Sequence, residues 1–85
     1  MKAPQVYRQT LDVENMISAC SQKLLIDPTH QKALFIRASS YLKKNRLDEA
    51  IQDCNALMEL MPENAGAYYI RGCAFEKLDY IEEAI

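Results

Sequence analysis

The sequence repeats itself with a period of 34 residues. Identical residues keep this spacing along the chain: Tyr7 and Tyr41, Cys20 and Cys54, Pro28 and Pro62, Arg37 and Arg71, Lys43 and Lys77, Glu49 and Glu83, Ala50 and Ala84, Ile51 and Ile85. Between residues 31–51 and 65–85, seven of twenty-one positions are identical. A fixed period of this length is typical of stacked structural repeats, in which each unit buries one face against its neighbours.

Each period contains two helical patterns. Apolar residues from Leu34 to Leu42 follow the three-to-four spacing of a helix, and a second apolar stripe runs from Leu47 until Pro62 ends it. The sequence is rich in Ala, Leu, Lys, Glu and Gln, which favour helix. We therefore predict five or six helices, with bounds near 12–26, 31–44, 47–60 and 65–78 and short helices around 4–10 and from 80 to the end.

Residues with capping propensity mark the helix ends. Thr29 is the predicted N-cap of the second main helix, and Asn45 is expected to end that helix in the left-handed conformation. The pairs Asn45-x-x-Asp48 and Asp79-x-x-Glu82 resemble capping boxes at the N-termini of the helices predicted at 47–60 and from 80 to the end. Small residues at Ala38, Ala50, Gly72 and Ala84 are expected to let the paired helices approach closely, and we interpret Gly72 as relieving crowding there.

The unit QKALFIRASSYLKKNRLDEAIQDCNALMELMPEN, residues 31–64, resembles the tetratricopeptide repeat family. The resemblance rests on Ala38, Tyr41, Ala50 and Pro62, which match the family's small, aromatic, alanine and proline positions. It implies an all-α fold of antiparallel helical hairpins stacked as a short right-handed α-solenoid. The chain is then one segment, residues 1–85, with a partial repeat at 1–30, a full repeat at 31–64 and a truncated repeat at 65–85.

Composition and motifs argue against several classes of function. The net charge of −2 argues against a nucleic-acid binder, and no apolar run is long enough to cross a membrane. We find no catalytic constellation, phosphate-binding loop, cofactor site or metal site, so we predict that the chain is not an enzyme. His30, the only histidine, is interpreted as a turn residue. The three cysteines fit neither a disulfide framework nor a metal site, so we expect free thiols and a cytoplasmic location.

The resemblance also implies a partner-binding groove lined by the first helix of each hairpin. Its predicted lining is Lys32, Phe35, Ile36, Ser39, Leu42, Lys43, Tyr69, Ile70, Cys73, Glu76 and Lys77. Residues 30–46 contain five basic side chains and no acidic one, whereas residues 48–63 contain five acidic side chains and no basic one. A basic, partly apolar groove backed by an acidic face favours an acidic peptide or helix of a protein partner. The competing interpretation is that these lysines are simply solvated.

Three alternative functions remain open from the sequence. The segment could be the regulatory arm of an enzyme whose catalytic domain lies elsewhere, or a chaperone-tail adaptor. Some family members clamp the terminal carboxylate of a chaperone with Lys and Asn side chains. At the corresponding positions this chain has Phe35, Ser39, Ile36 and Ile70, and Gly66 occupies the position of Lys32 in the next repeat. A related helical-repeat RNA reader is disfavoured by the period and the net charge.

Because we expect apolar faces to stay uncovered at both ends of the stack, we also predict a homo-oligomer.

Overall fold

A computed structural model of the chain describes the backbone of residues 5–84 and the side chains of residues 12–79. This part of the chain contains four α-helices and no strand: α1 (Gln5–Ile26), α2 (Gln31–Lys43), α3 (Leu47–Leu60) and α4 (Ala65–Ala84). Each helix packs against the next one along the chain, and α2 also contacts α4. The all-α architecture of antiparallel hairpins is therefore confirmed. None of these four helices is long and apolar enough to span a bilayer.

The turn between α1 and α2 differs in detail from the prediction. His30, and not Thr29, is the N-cap of α2, because its Nδ1 accepts a hydrogen bond from the Ala33 N–H at 3.1 Å. Thr29 instead donates its N–H and its hydroxyl to Oδ1 of Asp27. The Asp27 carboxylate holds Thr29 in the turn, and His30 is left to satisfy the helix terminus. The same role falls to Asn64 before α4, where its Oδ1 accepts from the Ala67 N–H.

The α2–α3 turn is built around Asn45. Its φ of 60° places it in the left-handed region, as predicted, and the Arg46 N–H then reaches back to the Tyr41 carbonyl at 2.9 Å. The predicted capping box at Asn45 is wrong, since the N-cap of α3 is Arg46 and no side chain caps this terminus. A residue in the left-handed conformation cannot also hold the extended conformation of an N-cap.

The number of helices was also predicted incorrectly. The segments expected as separate helices near 4–10 and 12–26 form one helix, and α4 runs through Asp79 to Ala84. The predicted capping box at Asp79 is wrong for this reason. At the register position of Asn45, the first unit has Leu11 and the last has Asp79. Leucine avoids the left-handed conformation, which asparagine and, less often, aspartate adopt. Asn45 is the only non-glycine residue with positive φ in the described part of the chain.

Small residues and aliphatic side chains form a core of three clusters between the helices. Leu24, Leu34 and Leu57 meet at one end, and Ile17 packs with Tyr41 and Ala50 at the other. Between them, Ala38 packs against Cys54 and Ile70. Burying each large aliphatic side chain stabilises the fold by about 1.5–3 kcal/mol.

Glycine plays a different part from the one expected. No residue lies within 4 Å of a Cβ placed on Gly72, so this glycine relieves no crowding. The close approach is at Gly66 in the first turn of α4, where an added Cβ would collide with the ring of Phe35. Gly66 therefore lets Phe35 of α2 lie across the start of α4.

Candidate partner-binding surface

The first helices of the two hairpins, α2 and α4, lie next to each other. At their N-terminal ends the Phe35 ring contacts Gly66. Near the opposite end, the Lys77 ammonium donates to Oδ1 of Asn45 at 3.4 Å, which ties α4 to the α2–α3 turn. The surface across these two helices, hereafter the α2–α4 surface, is the place where the predicted groove residues can be compared with the structure.

The predicted groove residues divide by burial into three groups. Six are exposed: Lys32, Phe35, Lys43, Tyr69, Glu76 and Lys77. Four are half-buried: Ile36, Ser39, Leu42 and Cys73. Ile70 is only 5% exposed and packs with Ala38 and Cys54, so it belongs to the core and offers no contact to a partner.

The apolar part of the α2–α4 surface is anchored to the core. Ile36 packs against the cluster around Leu34, and Leu42 bridges the clusters around Tyr41 and Ala38. Tyr69, in contrast, is 73% exposed. An aromatic ring that protrudes above half-buried aliphatic side chains can contribute much of the energy of a protein contact.

The charges of the repeat unit are partly neutralised within the fold. Of the five basic side chains in residues 30–46, Arg37 pairs with Asp53, Lys44 with Glu14 and Arg46 with Glu49. Lys32 and Lys43 have no carboxylate partner among the described residues, and neither has Lys77. The unpaired positive charge of α2 and α4 therefore lies on these three exposed lysines and on Arg71, which donates to Oδ1 of Asn55 and to no carboxylate among the described residues.

The acidic outer face expected on α3 is smaller than predicted, because Asp53 is buried. Its carboxylate accepts from Nε and Nη2 of Arg37, both at 2.7 Å, while Nη1 of Arg37 donates to Ser21 Oγ at 3.1 Å. This cluster joins α1, α2 and α3. The hydrogen bonds that Arg37 donates to Asp53 raise the pKa of Arg37. Every buried side-chain nitrogen and oxygen atom in the described residues has a hydrogen-bond partner, so no buried polar atom of the cluster is left unsatisfied.

Sequence reasoning missed this cluster although two signals pointed to it. Arg37 recurs as Arg71 one period later, and Asp53 lies three residues after Ala50 and four before Leu57, on the apolar stripe of α3. A carboxylate on a buried stripe requires a cationic or hydrogen-bonding partner. The arginine that recurs after 34 residues, Arg37, was the cation available to the Asp53 carboxylate.

A cavity of about 330 Å³ lies beside the cluster. It is lined by Leu24, Leu25 and Pro28 from the α1 side and by Arg37, Asp53 and Ala56 from α2 and α3, together with Ser21 and Leu34. None of the predicted groove residues lines it. The hydrogen bonds of its polar groups are already satisfied within the chain, so the cavity shows no requirement for a ligand.

The structure contains no arrangement suited to catalysis or metal binding in the residues it describes. His30 uses Nδ1 as a helix cap, and no group of three His, Cys, Asp or Glu side chains among these residues could hold a metal ion. The three cysteines are free, with Cys20 and Cys54 buried. Burial raises the pKa of Cys20. Burial and, to a smaller extent, the Asp53 carboxylate raise the pKa of Cys54 to about 11, so the nucleophilic thiolate form of both residues is disfavoured.

Comparison with known proteins agrees with this architecture. Residues 31–64, which cover α2, α3 and the turns that flank them, match the family described as tetratricopeptide repeat. The chain carries a tetratricopeptide repeat. It is also 38% identical over 45 residues to mouse sperm-associated antigen 1, a match that covers 53% of this chain and 5% of that protein. No solved structure matches the chain significantly.

The family matched by residues 31–64, tetratricopeptide repeat, indicates the general class of function. Its repeats generally mediate protein–protein interaction and are typically non-catalytic. The segment matched in sperm-associated antigen 1 is a small part of that protein, so its activities are not transferred to this chain. The assignment gives the class of interaction, and the identity of the partner must be argued from the surface.

Proposed function

We propose that the chain is part of a protein-interaction scaffold that binds an acidic segment of a partner protein on its α2–α4 surface. The observation that carries this proposal is the set of three exposed lysines, Lys32, Lys43 and Lys77, without carboxylate partners among the described residues. The half-buried aliphatic residues Ile36 and Leu42 lie between Lys32 and Lys43 along α2. Opposite charge steers association and selects partners, while apolar contacts supply much of the affinity.

The ends of the surface suggest how a bound segment would be oriented. Lys43 is the last residue of α2 and lies two residues before Asn45, and Lys77 reaches the α2–α3 turn through Asn45. Lys32 lies eleven residues before Lys43 on α2, which corresponds to about 16 Å along a helix. Acidic side chains at the two ends of a segment of roughly that length, separated by apolar residues, would match this pattern. Phe35 and Tyr69 are the proposed aromatic anchors.

A charge-reversal experiment tests the proposal. The chain is used to capture its partner, and the affinity is then measured for the wild type and for the Lys32→Glu/Lys43→Glu/Lys77→Glu variant at several salt concentrations. We expect weaker binding and a shallower salt dependence for the variant, with unchanged helicity in circular dichroism. Lys23→Glu, which reverses an exposed lysine on α1, is the matched control for Lys43→Glu and should leave the affinity unaltered. Equal affinities for the wild type and the triple variant would show that the lysines are only solvated.

Self-association is a second part of the proposal. Met16, Leu25 and Ile26 of α1 are exposed, and exposed apolar patches commonly mark contact surfaces. We expect a homo-oligomer, most simply a dimer, at moderate concentration. Light scattering coupled to size-exclusion chromatography checks this expectation, and a monomer that persists at high concentration would contradict it. The free thiols also favour a reducing, cytoplasmic location, which remains a prediction.

A further inference from the structure

The face of α4 formed by Tyr68, Arg71 and Phe75 has a covered counterpart within the same chain. One period earlier, α2 carries Leu34, Arg37 and Tyr41 at the same register positions. Those three residues lie between α1 and α3, with Leu34 3% and Tyr41 8% exposed. Tyr68 and Phe75 are 47% and 49% exposed. The two faces therefore differ in whether a second helix covers them.

The hydrogen bonds of the two arginines identify the side that is open. Nη1 of Arg37 donates to Ser21 Oγ on the preceding helix, and Nη1 of Arg71 donates to Asn55 Oδ1 on α3 at 3.0 Å. Ser21 and Asn55 are also one period apart. The repeat thus reproduces a contact from the same arginine nitrogen to the side-chain oxygen at the same register position.

In the part of the chain that the structure describes, Arg71 on α4 lacks the carboxylate contact that Arg37 makes on α2. Nε and Nη2 of Arg37 both donate to Asp53 on the following helix. For Arg71, Asn55 is the only hydrogen-bond partner among the described residues, and the cation lies over the Tyr68 ring, 5.6 Å from its centroid. A guanidinium with two unused, parallel N–H groups is suited to bidentate binding of a carboxylate.

The chain's own next residues do not cover this face. Residues 80–84 occupy the register positions of Arg46 to Ala50, which turn back and begin the covering helix in the preceding unit. Here they continue α4 as far as Ala84. Within the described part of the chain, no second helix therefore covers the face at Tyr68, Arg71 and Phe75.

A second copy of the chain is a poorer match than a helix of different sequence. In the repeat register, α1 of another copy would supply the cover. It carries Ala19 at the position of Asp53 and Lys23 at the position of Leu57. Ala19 offers no carboxylate to Arg71, and Lys23 would bring a second positive charge close to it.

We propose that Tyr68, Arg71 and Phe75 dock an amphipathic helix of a partner protein that presents a carboxylate to Arg71. The helix α3 defines the chemistry that fits: a small residue as at Ala50, an acid three residues later, and a leucine four residues after the acid. On α2 these residues meet Tyr41, Arg37 and Leu34, respectively. This surface is distinct from the α2–α4 surface, and its test is independent of the acidic partner proposed there.

The experiment uses a fluorescent peptide with the sequence of residues 47–60 as the probe. A staple joining peptide positions 48 and 52, which are exposed in the structure, preorganises the helix and reduces the entropy lost on binding. A second probe carries Asn in place of the aspartate at position 53. Fluorescence anisotropy with reduced, full-length chain gives the affinity of each probe for the wild type and for Arg71→Met. Lys23→Met, which removes an exposed positive charge from α1, is the control.

We expect the aspartate probe to bind the wild type and the Lys23→Met variant about tenfold more tightly than the asparagine probe, because a hydrogen bond to a charged group is strong. The difference should vanish on Arg71→Met. Amide NMR shifts should centre on residues 68–75. Equal affinity of the two probes, a difference that survives Arg71→Met, or shifts spread through α2 that indicate replacement of α3 would each overturn the proposal. A dimer that blocks probe binding would do the same.

Discussion

Replacing Asp53 by alanine is expected to destabilise the fold strongly, because it breaks the buried ion pair with Arg37. The substitution leaves the Arg37 guanidinium without the carboxylate that accepts two of its hydrogen bonds at 2.7 Å. Removing one partner of a buried ion pair costs about 3–5 kcal/mol, since the other charge stays desolvated and unpaired. The Arg37 side chain is 21% exposed and that of Asp53 7%, so water can reach part of the guanidinium. We therefore expect about 3 kcal/mol, the lower end of that range.

The reverse substitution, Arg37→Met, should cost at least as much, because the carboxylate it strands is the more deeply buried partner. Replacing both groups with apolar side chains of similar volume should restore most of the stability. For Arg37→Met/Asp53→Leu we expect a free energy of unfolding within about 1 kcal/mol of the wild type, because a buried pair gains little over a well-packed apolar contact. The non-additivity of the two single changes then measures their interaction.

Urea denaturation followed by circular dichroism measures these differences. A chain of this size has a total stability of about 4–13 kcal/mol, so all variants should be compared at one fixed osmolyte concentration that keeps the weakest folded. Glu49→Gln, which removes the exposed partner of Arg46, is the control and should have a much smaller effect. The reasoning would be refuted if Asp53→Ala changed stability no more than this control, or if the effects of the single substitutions simply added in the double variant.

Three further predictions concern the turns and the thiols. Asn45→Ala should lower the stability by about 1 kcal/mol whereas Asn45→Gly should be nearly neutral, because alanine resists a φ of 60°; thermal unfolding distinguishes them. His30→Ala should cost about 0.5–2 kcal/mol and His30→Asn should preserve the cap, which urea midpoints will show. A thiol reagent should modify Cys73 quickly, and Cys20 and Cys54 only after unfolding. Because the folded-state pKa of Cys54 is raised to about 11, its unfolded form ionises first, so stability should fall between about pH 9 and 11, and less so in Cys54→Ala.

The repeat period and the apolar spacing were sufficient to predict the architecture. The observed bounds of α2 and α3 lie within one residue of the predicted ones, because each of these helices has a full apolar stripe and a clear end signal. Asn45 was also predicted correctly as the left-handed residue between them. The turns predicted at Leu11 and Asp79 were wrong. They were inferred from the register position of Asn45 alone, although leucine and aspartate adopt the left-handed conformation less readily than asparagine.

Caps and buried charges were harder to predict. Thr29 has better intrinsic capping propensity than His30, but Asp27 engages its hydroxyl first. Arg37 and Asp53 were counted as surface charges because formal charge was summed along the chain without regard to the helical face on which each side chain lies. Ile70 was assigned to the groove by analogy with the family, whereas its contacts with Ala38 and Cys54 place it in the core. Local propensity does not contain these tertiary contacts.

Photo-crosslinking tests most directly whether the partner binds across α2 and α4. A benzophenone amino acid is introduced at Tyr69, which is exposed on α4, and in a matched variant at Leu25, which is exposed on α1. The two variants are irradiated with the captured partner at the same concentration. The account predicts a crosslinked partner from position 69, lost when Lys32, Lys43 and Lys77 are changed to glutamate, and none from position 25. Crosslinking from position 25 alone, or equally from both positions and independent of the lysines, would contradict it.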